Sequence, residues 1–93
     1  MKKTFELNNP KIKLARMYEA VKHETKKYIK RERAKTLPED AGFWDFDCKY
    51  GSSEQSAESI HVTEINKMID EAEKLGLTSF YIEILAKPGE RKS

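Results

Sequence analysis

The apolar residues of this chain recur with two different spacings, and the alternation between them is the strongest constraint on its fold. From Leu14 to about Ala34 they follow the 3.6-residue repeat of an α-helix and form one stripe about 120° wide. The stripe consists of Leu14, Met17, Tyr18, Val21, Thr25, Tyr28 and Ile29. A second helical stripe follows Thr63, the expected N-cap, and ends before Gly76, the expected C′ residue. The sequence therefore predicts two amphipathic helices.

Four other segments alternate apolar and polar residues, as half-buried strands do. The segment 43–50 is the clearest, with Trp44 expected at the centre of the core, and segments 2–8 and 79–87 are similar. The segment 60–62 is short, and residues 57–62 are also compatible with the early turns of one longer helix. We expect strands of at most about eight residues, so that the last turns of the roughly 30 Å first helix project past the sheet.

The predicted order is strand, helix, strand, strand, helix, strand, which is the βαββαβ arrangement of ferredoxin-like domains. It predicts an α+β two-layer sandwich in which both helices cover one face of a four-stranded antiparallel sheet. In the usual order of such sheets, the second and third strands are neighbours and the fourth lies at the far edge. Without the segment 60–62, three strands and two helices remain. Residues 1–88 are expected to form this single domain, and residues 89–93 a disordered tail.

The composition argues against several classes of protein. No segment approaches the roughly 18 apolar residues of a membrane-spanning helix, and residues 4–10 lack the apolar run of a signal peptide. Cys48, the single cysteine, cannot form an internal disulfide, which favours a reducing cytoplasm. It alternates in step with Trp44 and Phe46, so we expect it in the core. No catalytic motif, glycine-rich phosphate loop or cofactor motif is present, and an enzyme is not indicated.

The charge of the chain divides where the first helix ends. Residues 1–35 hold twelve Lys and Arg against four acids, whereas residues 36–93 hold six against twelve. The two parts carry net charges of +8 and −6, so one end attracts polyanions and the other repels them. Basic residues crowd the polar side and the last turns of the first helix: Arg16, Lys22, His23, Lys26, Lys27, Lys30, Arg31 and Arg33.

This basic helix predicts contacts with the phosphates of RNA or DNA, in free form or in ribonucleoprotein, with little sequence preference. The ordinary alternative is a solvated helix exterior that keeps the protein soluble. An anionic membrane is a poorer partner, because the apolar stripe of the helix is needed in the core and only the charges remain available.

The open face of the predicted sheet suggests two further hypotheses. Its acids and imidazole would hold a divalent metal if the strand order brings them together: Asp45, Asp47, His61 and Glu83. Alternatively, another protein or a second copy would cover this face, because Tyr81 and Leu85 form an apolar spot on it. Tyr81 is expected to be the only exposed aromatic ring there, which argues against the base stacking of RNA-binding domains with this topology. A solvated face with scattered charges is the ordinary interpretation.

Several runs of the sequence resemble those of a family of uncharacterised bacterial proteins of about this length. The runs are residues 2–7 (KKTFEL), 43–48 (FWDFDC), 60–66 (IHVTEIN) and 80–86 (FYIEILA). The basic first helix is similar too, so the resemblance covers nearly the whole chain. It implies a bacterial cytoplasmic protein. Because no activity is known for the family, the resemblance implies no site residues.

Overall fold

The structure is a computed structural model that describes residues 1–39 and 41–90. Its elements, in chain order, are β1 (Lys2–Glu6), α1 (Leu14–Arg33), β2 (Ala41–Gly51), β3 (Glu58–Ile60), α2 (Ile65–Lys74) and β4 (Ser79–Glu90). A short 3-10 turn, Val62–Glu64, directly precedes α2. The predicted α+β class and βαββαβ order are confirmed, and so is the short third strand.

The strands are ordered β1-β4-β2-β3, and each neighbouring pair is antiparallel. β2 and β3 are neighbours, as expected, but the expected position of β4 at the far edge is wrong. β4 lies inside the sheet, paired with β1 through residues 79–83 and with β2 through residues 81–90. This position suits its sequence, because Phe80, Ile82 and Ile84 are buried on one face and Tyr81 and Glu83 on the other.

Both helices cover the same face of the sheet, and the core lies between the two layers. The fully buried Phe80 ring is at its centre, with the ring centroids of Phe5, Tyr18 and Tyr50 at 5.6, 5.8 and 6.0 Å. The expected central position of Trp44 is wrong. Its ring is only half-buried, because its indole N–H reaches the rim of the core and donates to a backbone carbonyl after α1. The predicted apolar stripe of α1 is buried or half-buried throughout.

The last turn of α1 stays over the sheet instead of projecting past it. β2 and β4 have 11 and 12 residues, so each is longer than expected. At about 3.4 Å per residue, β2 spans roughly 37 Å, which exceeds the roughly 30 Å of the helix. The Arg33 guanidinium accordingly lies 5.4 Å from the centroid of the Phe46 ring, and Trp44 donates to the Lys35 carbonyl at 2.8 Å. The basic turns of α1 therefore lie above β2.

β4 continues through Pro88 to Glu90, beyond the predicted strand end. From residue 85 onward β1 no longer pairs with β4, and a proline is tolerated where a strand has a free edge. The Phe43 ring lies over Gly89, where a Cβ would come within 2.3 Å of the ring and displace it. The predicted tail 89–93 therefore begins with two strand residues, and residues 91–93 lie outside the described part of the chain.

α2 lies beside α1, and a turn bounds α2 at each end. The expected N-cap at Thr63 is wrong, because the 3-10 turn comes first and its cap is His61, whose Nδ1 accepts from the Thr63 backbone N–H at 3.2 Å. The C-terminal end is as predicted. Gly76 has a left-handed φ of 65°, and the Leu77 N–H donates to the Ala72 carbonyl at 3.0 Å.

Candidate nucleic-acid interface

The basic residues predicted on α1 are, with one exception, exposed to solvent. The exposed ones are Arg16, His23, Lys26, Lys27, Lys30, Arg31 and Arg33. The exception, Lys22, is half-buried and bonds to Asp70 of α2, whose carboxylate raises the pKa of the lysine. Lys22 thus joins the two helices, and its charge is offset within the protein.

In the part of the chain that the structure describes, three lysines in the second half of α1 have no ion-pair partner. Ion pairs in the described residues join Lys3 to Glu24 (2.9 Å), Lys22 to Asp70, Lys35 to Glu32 (2.5 Å) and Lys87 to Asp47 (2.8 Å). Within residues 1–39 and 41–90, none of these pairs includes Lys26, Lys27 or Lys30. Since their apolar neighbours on α1 face the core, these three ammonium groups stand in solvent and are available to an anionic ligand.

Two arginines of the same segment are held in place by aromatic rings. The Arg31 guanidinium lies 5.5 Å from the centroid of the Tyr28 ring, and Arg33 covers the Phe46 ring. Cation–π contacts of this kind orient a guanidinium without removing its charge. Both arginines therefore keep their positive charge, with fewer rotamers open to them than an unsupported side chain has.

Glu32 is a buried acid within the basic helix that the sequence analysis did not single out. The Lys35 ammonium, with its Nζ 2.5 Å from Oε2, holds the pKa of Glu32 below its ordinary value, although burial opposes this shift. Its position was foreseeable, because residue 32 follows Tyr28 by four and therefore continues the inward stripe. The carboxylate pairs with Lys35 and, among the described residues, forms no ion pair with Lys26, Lys27 or Lys30.

A groove of about 400 Å³ runs between the second half of α1 and the segment that enters α2. One wall carries the side chains of Lys26, Lys30 and Arg33, and Ile29 and Ile65 contribute apolar surface. The facing wall is uncharged and consists of Val62, Thr63 and Asn66. Sequence reasoning missed this groove because it requires knowing that the 3-10 turn and α2 lie beside α1. The ion pair between the helices was not predictable from either helix alone.

The structure does not bring together the four residues of the hypothetical metal site. His61 lies outside the sheet, one residue after β3. It caps the 3-10 turn, with Nδ1 2.8 Å from the Thr63 hydroxyl. Asp47 pairs with Lys87 on the neighbouring strand, and one Asp45 carboxylate oxygen accepts from the Phe46 backbone N–H at 2.8 Å. Within the described residues, no group of three or more His, Cys, Asp or Glu is arranged to hold a metal ion.

Glu83 and Tyr81 form a buried pair on the outer face of the sheet. The Tyr81 hydroxyl donates to Glu83 Oε1 at 2.7 Å, and the two residues are only 3% and 7% exposed. The expectation of an exposed Tyr81 ring is therefore wrong, and the apolar spot that it was to form with Leu85 is smaller. Both residues lie on β4, which has a neighbouring strand on each side at these positions. Phe43, half-exposed over Gly89, lies at the other end of β2.

The buried Tyr81 makes stability depend on alkaline pH. Burial, the hydrogen bond to Glu83 and the charges of Glu83 and Glu54 raise the pKa of Tyr81 from 10.0 to about 12. The folded state keeps this proton where the unfolded state has lost it, so the stabilisation is complete below pH 10.0 and is lost as the pH rises through about 12. We expect urea midpoints to fall between about pH 9 and about pH 11, and to fall less in Tyr81→Phe. An equal fall in both proteins would contradict this assignment.

Cys48 is a core residue, as expected from its alternation with Trp44 and Phe46. It is 2% exposed, and burial raises the pKa of its thiol to about 11. A thiol with so little thiolate at neutral pH is a poor nucleophile. Its role in the structure is to fill space between β2 and the helices.

The whole chain matches the model of a protein family. No described helix is long and apolar enough to cross a membrane. Neither the curated proteins nor the solved structures include a match to this chain. The family match extends over residues 1–93, and the chain therefore belongs to a family of unknown function, DUF6172.

Proposed function

We propose that this protein is a small binding module whose α1 helix contacts nucleic acid, free or in ribonucleoprotein, without sequence preference. The observation that carries the proposal is the row of unpaired cations in the second half of α1. Lys26, Lys27 and Lys30 are exposed, and the ion pairs of the described residues leave them out. Each can neutralise a phosphate and release its condensed counterion, which is the main source of affinity in non-specific binding.

Contacts to phosphates alone account for the absence of sequence preference. Lysine ammonium groups on an exposed helix read the charge of the backbone and not the base edges. The sheet face that other nucleic-acid-binding sandwiches use for base stacking has its central tyrosine buried against Glu83. Asp45 and Asp47 on the same face would repel phosphates. These features favour α1 over the sheet as the contact surface.

We also propose that the protein works in the bacterial cytoplasm. The resemblance of its sequence runs to bacterial proteins supports the bacterial origin. The free, buried Cys48 thiol supports a reducing compartment. A metal-dependent or catalytic role lacks such support, because the acids of the sheet face are dispersed or paired with lysine and tyrosine.

Nuclear magnetic resonance with a short mixed-sequence RNA of about 12 nucleotides tests the proposal. At low salt, we expect the backbone amide signals of residues 25–33 to shift, while those of β4 stay in place. An oligomer with the same bases on an uncharged backbone is the control, and it should shift them far less. If no amide signal moves at low salt, or if the shifts are confined to the sheet, α1 does not bind nucleic acid.

A further inference from the structure

We propose that the groove between α1 and the start of α2 binds single-stranded nucleic acid, with its phosphates on the charged wall and a base against the uncharged one. This inference rests on the proposed function and names the form of nucleic acid that the protein prefers. The proposed function involves only contacts to phosphates, and these would not distinguish a single strand from a duplex. The distinction comes from the shape and the polarity of the groove.

The charged wall of the groove is a row parallel to the helix axis. Lys26, Lys30 and Arg33 occupy positions i, i+4 and i+7 of α1, which places them on one side of the helix at steps of about 6 and about 4.5 Å along its axis. A row of this kind suits a linear polyanion with a charge on every unit. The Phe46 ring orients Arg33 at the end of the row.

The opposite wall has no formal charge, and this asymmetry matches a nucleotide strand. Val62, Thr63 and Asn66 supply an apolar contact, a hydroxyl and an amide, and Ile29 and Ile65 add aliphatic surface. A single strand likewise has phosphates along one edge and bases along the other. An acidic amphipathic helix would instead need cations on both sides of an apolar floor, and the groove has them on one side only.

A duplex cannot use the uncharged wall. Its bases are stacked and paired inside the helix, whereas the unpaired bases of a single strand can turn outward into a protein groove. The groove volume of about 400 Å³ lies within the range of sites that enclose small molecules. One base can therefore enter it while the adjacent phosphates contact the cations. A duplex would contact only the lysines at the rim.

Asn66 is the group best placed to hydrogen-bond a base in the groove. Its side chain is exposed at the start of α2, and it makes no side-chain hydrogen bond within the described part of the chain. The Thr63 hydroxyl is already engaged with His61. An amide both donates and accepts, so Asn66 can pair with the edge of any base, in keeping with binding without sequence preference.

Fluorescence anisotropy with three labelled probes of equal length tests this inference: a mixed-sequence single strand, the same strand annealed to its complement, and an abasic strand. We expect the single strand to bind at least about tenfold more tightly than the other two at equal salt, since only it offers a base. Equal affinities for all three probes would overturn the groove assignment and leave the proposed function standing. No binding of any probe would overturn both.

The Asn66→Ala variant tests the uncharged wall itself. Because residue 66 is exposed, the variant should fold normally, and we expect its affinity for the single strand to fall roughly three- to tenfold, with no change for the duplex. An unchanged single-strand affinity, or an equal loss for both probes, would contradict the proposal. So would displacement of the single strand by a lower concentration of an acidic amphipathic peptide than of unlabelled strand, which would assign the groove to a protein partner.

Discussion

Replacing Lys26 and Lys30 with Glu is expected to lower the affinity for a short RNA by about a hundredfold or more at low salt. Two unit charges about 4 Å apart in water interact with about 1 kcal/mol, and reversal turns each attraction into a repulsion. The two positions together therefore change the binding free energy by about 4 kcal/mol before screening, and a factor of a hundred corresponds to about 2.8 kcal/mol. Fluorescence anisotropy of the labelled RNA measures the loss.

The matched control for this variant reverses the charges of two lysines that lie just before the start of the same helix. Lys11 and Lys13 are exposed and precede α1, about 20 Å from Lys26 at 1.5 Å per residue. Lys11→Glu with Lys13→Glu changes the net charge by the same amount and places acids near a helix N-terminus, where they are tolerated. We expect its affinity to stay within a few-fold of the wild type. Equal losses in both variants would show that net charge alone governs binding.

Truncating the ring at the centre of the core is expected to have the largest effect on stability. Phe80 is 0% exposed and lies close to the rings of Phe5, Tyr18 and Tyr50. Phe80→Ala should lower the free energy of unfolding by about 3–5 kcal/mol, because it removes buried surface and leaves a cavity between the layers. Domains of this kind are stable by roughly 5–15 kcal/mol, so much of the protein would be close to unfolding. Urea denaturation followed by circular dichroism measures the change.

Phe43→Ala is the control for the core substitution. Phe43 is 50% exposed and covers Gly89 at the end of the β2–β4 ribbon. Its truncation should cost less than about 1 kcal/mol, since only half of the ring leaves an apolar contact. If Phe43→Ala destabilised the protein as much as Phe80→Ala, the core would not be centred where the structure places it.

The periodicity of the sequence was sufficient to predict the elements of the fold but not their arrangement. The stripe of α1 and the alternation of β4 are local patterns, because each depends on the repeat of one element. The position of β4 inside the sheet depends on pairing between distant strands, and the apolar face of a strand does not identify its neighbours. The length of β4 was underestimated for a related reason, because Pro88 is compatible with a strand whose N–H faces an unpaired edge, and the sequence does not show which edges are paired.

The same distinction applies to the candidate site: features of one element were predicted, and features that depend on contacts between elements were not. The exposed lysines of α1 were predicted because they lie opposite its apolar stripe. The pairing of Lys22 with Asp70 and the facing wall at Asn66 depend on how α2 lies beside α1. His61 left the predicted strand because its ring caps the next turn, and no pattern in the segment 60–62 distinguishes the two conformations. Tyr81 was expected in solvent because alternation shows which side of the sheet a residue faces, but not how exposed its side chain is there.

The dependence of RNA affinity on salt tests most directly whether the cations of α1 bind phosphates. Each phosphate neutralised on a single strand contributes about −0.7 to the slope of log affinity against log salt concentration. With Lys26, Lys27, Lys30 and Arg33 engaged, we expect a slope of about −2.8 for the wild type and about −1.4 for the Lys26→Glu, Lys30→Glu variant. A wild-type slope near zero, or the same slope in both proteins, would contradict the assignment of α1 as the nucleic-acid-binding surface.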